Sequence, residues 1–327
     1  TPRRTGSWSR PVSGSTGKIC WMPQTSGTDW NSEKLTNSLS ASFSASSSAI
    51  SRWARLRVSR RARSRAQAVL GDNVSDGRLT DRVVSPERGQ LVVMLYNSGV
   101  IETEYLTFGG ADFSFAEVRL PTIAKMSFQH GLLRHADLSG IVLISLDFGA
   151  AYVEGARFRR SELVATSFAA LANEALKPPM RAEAGMSWWW TQLAGADFGG
   201  ARIFGSSFAR VQGLAVSFDG AFIANTDFTE ASIGASTFRN AILWENDFSG
   251  ALLQSVDFDG AIVFSPTFLD DVAAAAHPGS FASGRFVLEA LEPEELSAGH
   301  PHYGYLWRVD GLEGRQAWRV RRVGEFG

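Results

Sequence analysis

From Phe108 onward, a large apolar residue returns at almost every fifth position of the chain. The first run is Phe108, Phe113, Val118, Ile123, Phe128, Leu133, Leu138, Leu143, Phe148, Val153, Phe158, Leu163 and Phe168. A second begins at Leu193 and passes through Phe198, Ile203 and Phe208 to Phe268, broken once, at Gly213. A helix with about 3.6 residues per turn cannot hold a five-residue stripe on one side, and neither can a strand that alternates every second residue. Three residues pointing in, out and in, followed by a two-residue corner, can. Small residues stand two positions before many centres (Ala111, Ala136, Ala151, Ala196, Ala221, Ala261). The pair after a centre is often Gly109–Gly110, Ser139–Gly140, Asp219–Gly220 or Asp259–Gly260. Glycine suits a corner because it takes positive φ without a Cβ penalty. Four such corners close a square coil of about twenty residues.

The segments Ala111-Asp112-Phe113, Ala136-Asp137-Leu138 and Ala196-Asp197-Phe198 resemble the Ala-(Asp/Asn)-Leu-x-x consensus of the pentapeptide repeat proteins. The resemblance covers about residues 106–270. It implies an all-β solenoid, a right-handed quadrilateral β-helix of about seven coils stacked roughly 4.8 Å apart. Phenylalanine favours positions ending in 8, and Leu, Ile and Val those ending in 3. At twenty residues per coil this predicts two facing ladders, Phe198–Phe218–Phe238–Phe258 and Phe208–Phe228–Phe248–Phe268. Such an interior is dry packing with no room for a cofactor or an active site. Gly213, with Leu214 beside it, predicts a local shift or bulge.

Outside the stripe the chain changes character. Residues 1–84 form a low-complexity, Ser- and Arg-rich basic tail, expected to be disordered. Ser85–Gly99 reads as a helix with a Ser cap, Pro at its first position and a Gly stop, so residues 85–105 are expected to supply a capping helix and a linker. Such a helix would cover the open first coil, whose unpaired edges invite aggregation. Between Phe168 and Leu193 the centres would fall on Asn173, Pro178 and Glu183, so residues 169–187 are expected to bulge out as a loop, with a helical turn over Ala169–Leu176. Trp188 returns in centre phase. Residues 271–327 are expected to form a C-terminal cap or small β module, with Tyr305–Val309 and Ala317–Val323 as alternating strands around Asp310–Gly311.

No constellation of catalytic residues is present. The chain lacks a phosphate-binding Gly-rich loop, a nucleophile elbow and a His-Glu-x-x-His motif. Cys20 is the only cysteine, which excludes an internal disulfide and a thiolate metal site. His130 and His135, five apart, fall at corners on adjacent faces. We therefore expect no enzyme activity, no cofactor and no metal. No apolar run approaches the roughly 20 residues of a transmembrane segment.

The net charge of -1 hides a gradient, +7 before residue 106, -6 over 106–270 and -2 after it. Within the second half of the coil, Asp197, Asp219, Asp227, Glu230, Glu245, Asp247, Asp257 and Asp259 recur at regular intervals. Together with the Trp188-Trp189-Trp190 cluster they are the candidate partner-binding residues. The leading reading is a rigid scaffold for protein–protein interaction, cytoplasmic and bacterial. Some pentapeptide repeat proteins mimic DNA and bind gyrase, so the resemblance and the acidic half-rod together raise a second reading, a DNA mimic that binds a type II topoisomerase. A third follows from the Arg/Ser leader behind a first residue that is not Met: the soluble portion of a membrane- or organelle-associated protein, with residues 1–84 as a transit peptide. Direct nucleic-acid contact is expected only through the basic tail.

Overall fold

A computed structural model of the chain describes residues 73–75, 78–80, 83–108, 111–172, 188–292, 295, 302, 312 and 314–324. Within the expected basic tail, β1 (Asn73–Ser75) and β2 (Arg78–Thr80) pair antiparallel; the tail up to residue 72 lies outside the described residues.

The stripe folds into a coil. Strands β3 (Thr122–Ala124), β4 (Val142–Ile144), β5 (Glu162–Val164), β8 (Arg202–Phe204), β9 (Phe222–Ala224), β10 (Ile242–Trp244) and β11 (Ile262–Val263) stack in parallel on one face. Single bridges keep the same register on the other faces, pairing Leu132 with Tyr152, Asp137 with Arg157 and Asp227 with Asp247. Six turns separate β3 from β11, and partial turns at the ends bring the coil close to the seven expected. The architecture is a right-handed quadrilateral β-helix.

Corner geometry follows the pentad. The second corner residue has positive φ at Gly140, Gly200, Gly220 and Gly260, and also at 16 non-glycine positions, among them Lys125, Ala165, Asn225 and Ala235. An L-residue in this region costs roughly 1–2 kcal/mol, so the burial and axial hydrogen bonds of the coil must offset that strain. Ala235→Gly (φ 54°, exposed) should therefore stabilise the protein. After the roughly 0.5–1 kcal/mol that glycine loses to unfolded-state freedom, the gain is up to about 1.5 kcal/mol. Chemical denaturation measures it, and a lowered midpoint would show that this corner carries no strain.

Inside, two phenylalanine ladders run along the axis. Phe128, Phe148, Phe168, Phe208, Phe228 and Phe248 stack with centroids 4.7–5.3 Å apart. Phe158, Phe198, Phe218, Phe238 and Phe258 form the other, at 4.7–5.1 Å. Rings of one ladder meet the other edge-on, as the aromatic quadrupole favours. One expected rung is missing: Phe268 meets Phe258 edge-on at 5.7 Å instead of stacking on Phe248. In the column of Pro266, Thr166 N–H donates to Ser206 Oγ and Thr226 N–H to Asn246 Oδ1, side chains of the following coil, whereas Pro266 has no N–H to donate. The chain leaves the coil there and starts α3 (Phe268–Ala275).

The expected bulge at Gly213 is also absent. Its N–H donates in register to Ser232 O at 2.7 Å, and the missing side chain's space is taken by Val216, Ile233 and Leu193. Leu214 simply points outward, 63% exposed.

Both ends are covered. At the N-terminal end α1 (Pro86–Asn97) is capped by Ser85, whose Oγ accepts from Arg88 N–H, and buries Val92 in the core. Ser85 N–H donates to Phe115 O at 2.6 Å, Arg88 Nη1 donates to Ser114 O at 2.6 Å, and Gly89 lies directly against the Glu117 backbone. Residues 101–103, followed by the short α2 (Glu104–Phe108), pair with Ser127. At the far end α3 precedes β12 (Phe286–Leu291) and β13 (Ala317–Arg322); β13 pairs antiparallel with both β12 and β11. The strand over Ala317–Arg322 matches expectation, but its hairpin-like partner is β12. Tyr305–Val309 lies outside the described residues.

Candidate functional site

Four of the eight acidic residues singled out in the sequence share one local job. Standing outward just before a phenylalanine centre, each accepts the N–H two residues on: Asp197 from Gly199 at 2.9 Å, Asp227 from Thr229 at 2.8 Å, Asp247 from Ser249 at 2.8 Å, Asp257 from Asp259 at 3.1 Å. Asp112, Asp137 and Asp147 do the same in the first half. A carboxylate braces a corner this way because it mimics a backbone carbonyl at short reach.

The coil separates these carboxylates onto two faces. Asp197 and Asp257 belong to the column Arg157–Asp197–Ser217–Thr237–Asp257, while Asp227 and Asp247 belong to Ser167–Ser207–Asp227–Asp247. Ten residues, half a turn, separate the two columns, so they lie on opposite sides. Cations sit between several of the acids. Asp197 meets Arg159 at 3.3 Å, and Glu230 takes a two-pronged contact from Arg210 at 2.7 and 2.9 Å. Asp257 is buried and accepts from Arg239 at 2.6 Å and Arg322 at 2.7 Å. Burial acts to raise the Asp257 pKa, but these donors and the Asp259 N–H outweigh it and hold the carboxyl below its ordinary value. Asp219 accepts from Arg239 N–H and Asp259 from Arg322 N–H, both at 2.9 Å. Glu245 and Asp247 stay exposed.

The tryptophans stand beside the insertion. The expected helical turn is replaced at Leu171–Ala172 by β6, which pairs antiparallel with β7 (Trp188–Trp189), forming a stem. Residues 173–187 lie outside the described residues. The coil resumes at Thr191 rather than Trp188. Thr191 Oγ1 accepts from Ala150 N–H at 2.8 Å and donates to Phe148 O at 3.2 Å, replacing an axial backbone bond. Trp190 is 43% exposed, while Trp189 is half-buried edge-on to His130, 5.2 Å between centroids.

Burial lowers the His130 pKa from its ordinary 6.5. The contribution His130 makes to stability in its neutral form is therefore fully present above pH 6.5 and is lost as pH falls through the lowered value. Titration of the His130 ring protons by NMR should give a midpoint below 6.5, and a midpoint above it would contradict this packing.

One surface had escaped the periodic reading. Phe222, Ala224, Ile242, Trp244, Ile262 and Phe264 point out of the coil, yet they are buried with Leu291, Leu312 and Ala317 in a second apolar cluster. The Arg315 guanidinium lies over the Trp244 ring at 5.0 Å, and His302 Nε2 bonds Gly220 O at 3.0 Å. Residues from the C-terminal region thus clasp the outer face as well as the end of the coil. The signal was legible: apolar residues at every strand position require cover on both faces.

A parallel register of 20 residues on four faces, with an inward residue two before an apolar centre and a left-handed corner recurring through most pentads, decides the fold. It is that of the pentapeptide repeat proteins. Three solved structures of this fold are similar. HetL, a pentapeptide repeat protein involved in heterocyst differentiation regulation from the cyanobacterium Nostoc, is 24% identical over 46% of this chain and 68% of its own, with a TM-score of 0.20. QnrB1, a plasmid-mediated fluoroquinolone resistance protein, is 18% identical over 44% and 78%, with a TM-score of 0.24. A pentapeptide repeat protein from the Arabidopsis thaliana thylakoid lumen is 17% identical over 45% and 80%, with a TM-score of 0.22. No family model matches the chain, and no curated protein matches it.

Proposed function

We propose that this pentapeptide-repeat chain is a non-enzymatic scaffold that binds a protein partner through the outside of its coil. The observation that carries this is the division of labour along each strand. Inward positions are spent on a packed interior, with the ring ladders essentially inaccessible, so only the outer faces, corners and insertion remain for recognition. Among the described residues no group of three His, Cys, Asp or Glu side chains could hold a metal, and no helix is long and apolar enough to cross a membrane. The scaffold reading takes the cytoplasm as its compartment. The insertion, with Trp190 exposed at its base, is the leading recognition element.

Affinity capture with the full chain, compared with a variant lacking residues 173–187, tests it. Recovery of a defined partner by the full chain and its loss from the variant is the expected result; the same proteins on both baits would remove the insertion from the reading.

A DNA mimic acting on a type II topoisomerase is the second reading, favoured by the exposed carboxylates of Glu245 and Asp247 on the acidic half. The pairing of Asp197, Glu230 and Asp257 with arginines reduces the charge such a mimic would present. A gyrase supercoiling assay decides between the two: no inhibition or drug protection at micromolar protein ends the mimic reading.

A further inference from the structure

Where the coil ends, one corner is left open. In the preceding coils the N–H groups at this corner donate to carbonyls of the next turn. Lys125 bonds Ile144 O and Phe128 bonds Asp147 O, and the series continues to Asn225 with Trp244 O at 2.9 Å and Phe228 with Asp247 O at 2.7 Å. Glu245 and Phe248 are the next members of these two columns. Their acceptors would be the carbonyls of Phe264 and Thr267, but the chain turns into α3 after Pro266 and neither bond forms among the described residues. Phe248 as a residue is 2% exposed, and among the described residues no carbonyl accepts its N–H, a costly arrangement for a backbone donor.

A cleft of about 310 Å³ lies over these donors. Its floor is apolar, from Trp244, Phe248, Phe264 and Phe268, and its rim carries the carboxylates of Glu245, Asp247 and Asp271. The chain's own Arg315 guanidinium rests on the Trp244 face at 5.0 Å, so the apolar floor already holds one planar cation.

We propose that this cleft binds an extended peptide segment of a partner protein, carrying alternating apolar and basic residues. Its carbonyls accept from Glu245 N–H and Phe248 N–H where the next coil would have supplied them. Its apolar side chains rest on the half-buried Phe268, and its basic side chains face Glu245, Asp247 and Asp271. Strand addition of this kind draws affinity from the main chain and specificity from the side chains on either side of it. The acidic rim selects a basic segment over an acidic one by charge complementarity. The proposal rests on the scaffold reading only for the source of the peptide.

The test uses the full chain labelled with nitrogen-15 and a blocked peptide of alternating valine and arginine. The amide protons of Glu245 and Phe248 should move downfield saturably and become protected from exchange. The same peptide with glutamate for arginine should bind at least roughly tenfold more weakly, and Glu245→Lys should weaken the arginine peptide to a similar degree with an unchanged melting temperature. The proposal is overturned if those two amides do not move at millimolar peptide. It is equally overturned if both peptides bind alike, or if the amides are already protected in the free protein because a segment of the chain itself fills the cleft. Peptide binding elsewhere on the coil would overturn this site and leave the scaffold reading intact, whereas capture without any partner would count against the scaffold and not against this cleft.

Discussion

Phe218→Ala should remove about 3–5 kcal/mol of stability, the range for deleting a buried aromatic ring without collapse of its surroundings. Phe218 stacks on Phe198 at 5.1 Å and on Phe238 at 4.7 Å, and meets Phe208 and Phe228 edge-on. Removing its ring therefore leaves four others with an empty side. The backbone around the void is held by axial hydrogen bonds to the coils above and below, such as Phe218 N–H to Thr237 O at 2.7 Å, so relaxation into the hole is restricted. In a solenoid each coil is supported only by its neighbours, so the loss weakens two interfaces at once. Chemical denaturation measures the change, with Leu214→Ala as the comparison. Leu214 is one of the exposed large apolar side chains, and its removal should stay within about 0.5 kcal/mol. A Phe218 variant as mild as the Leu214 variant would refute the packed ladder.

Gly89→Ala should be nearly as damaging, and in the direction opposite to helix propensity. On propensity alone, alanine in the interior of α1 would favour the helix by about 1 kcal/mol. The geometry reverses this. A Cβ on residue 89 would sit 1.8 Å from Glu117 O and 2.5 Å from Glu117 C, and both are backbone atoms of the first coil. Backbone cannot turn aside as a side-chain tip can, so α1 must lift away from the coil, breaking the Ser85 and Arg88 contacts to Phe115 and Ser114. Overpacking of this kind costs about 1–3 kcal/mol or more. The lifted helix also uncovers the first coil's edge, so lower stability should come with concentration-dependent aggregation. Denaturation together with light scattering reads both effects, and a variant as stable and monodisperse as the parent would show that α1 does not seal the coil.

How far the sequence could be read depended on where each partner lay. The centres and corners were legible because they repeat at a fixed interval and each residue's role is set by its own pentad. Phe198, Phe218, Phe238 and Phe258 form a ladder as the spacing dictates. The carboxylates were visible as charges but not as partners, because pairing depends on the coil offset. Arg159 meets Asp197 and Glu162 meets Arg202 only because the insertion changes the local step from 20 residues to 40. The ladder failed at Phe268 because the chain turns into α3 there, although the apolar pattern itself has not yet lapsed. The clasp on the outer face was missed for a different reason. Attention to inward centres hid the neighbouring outward positions, where Phe222, Ile242 and Ile262 had nothing polar to recommend them to solvent.

The insertion enters after Ala172 and leaves before Thr191, and the coils above and below it are joined directly, Tyr152 to Gln192 and Ser167 to Ser207, as though it were not there. Closing a longer or shorter excursion between two fixed points changes the free energy only logarithmically with its length. The register of the coil and the contents of the insertion are therefore encoded in separable stretches of the chain. New contents could be grafted between the stem strands, or shuffled by natural variation, without rewriting the register that holds the solenoid together.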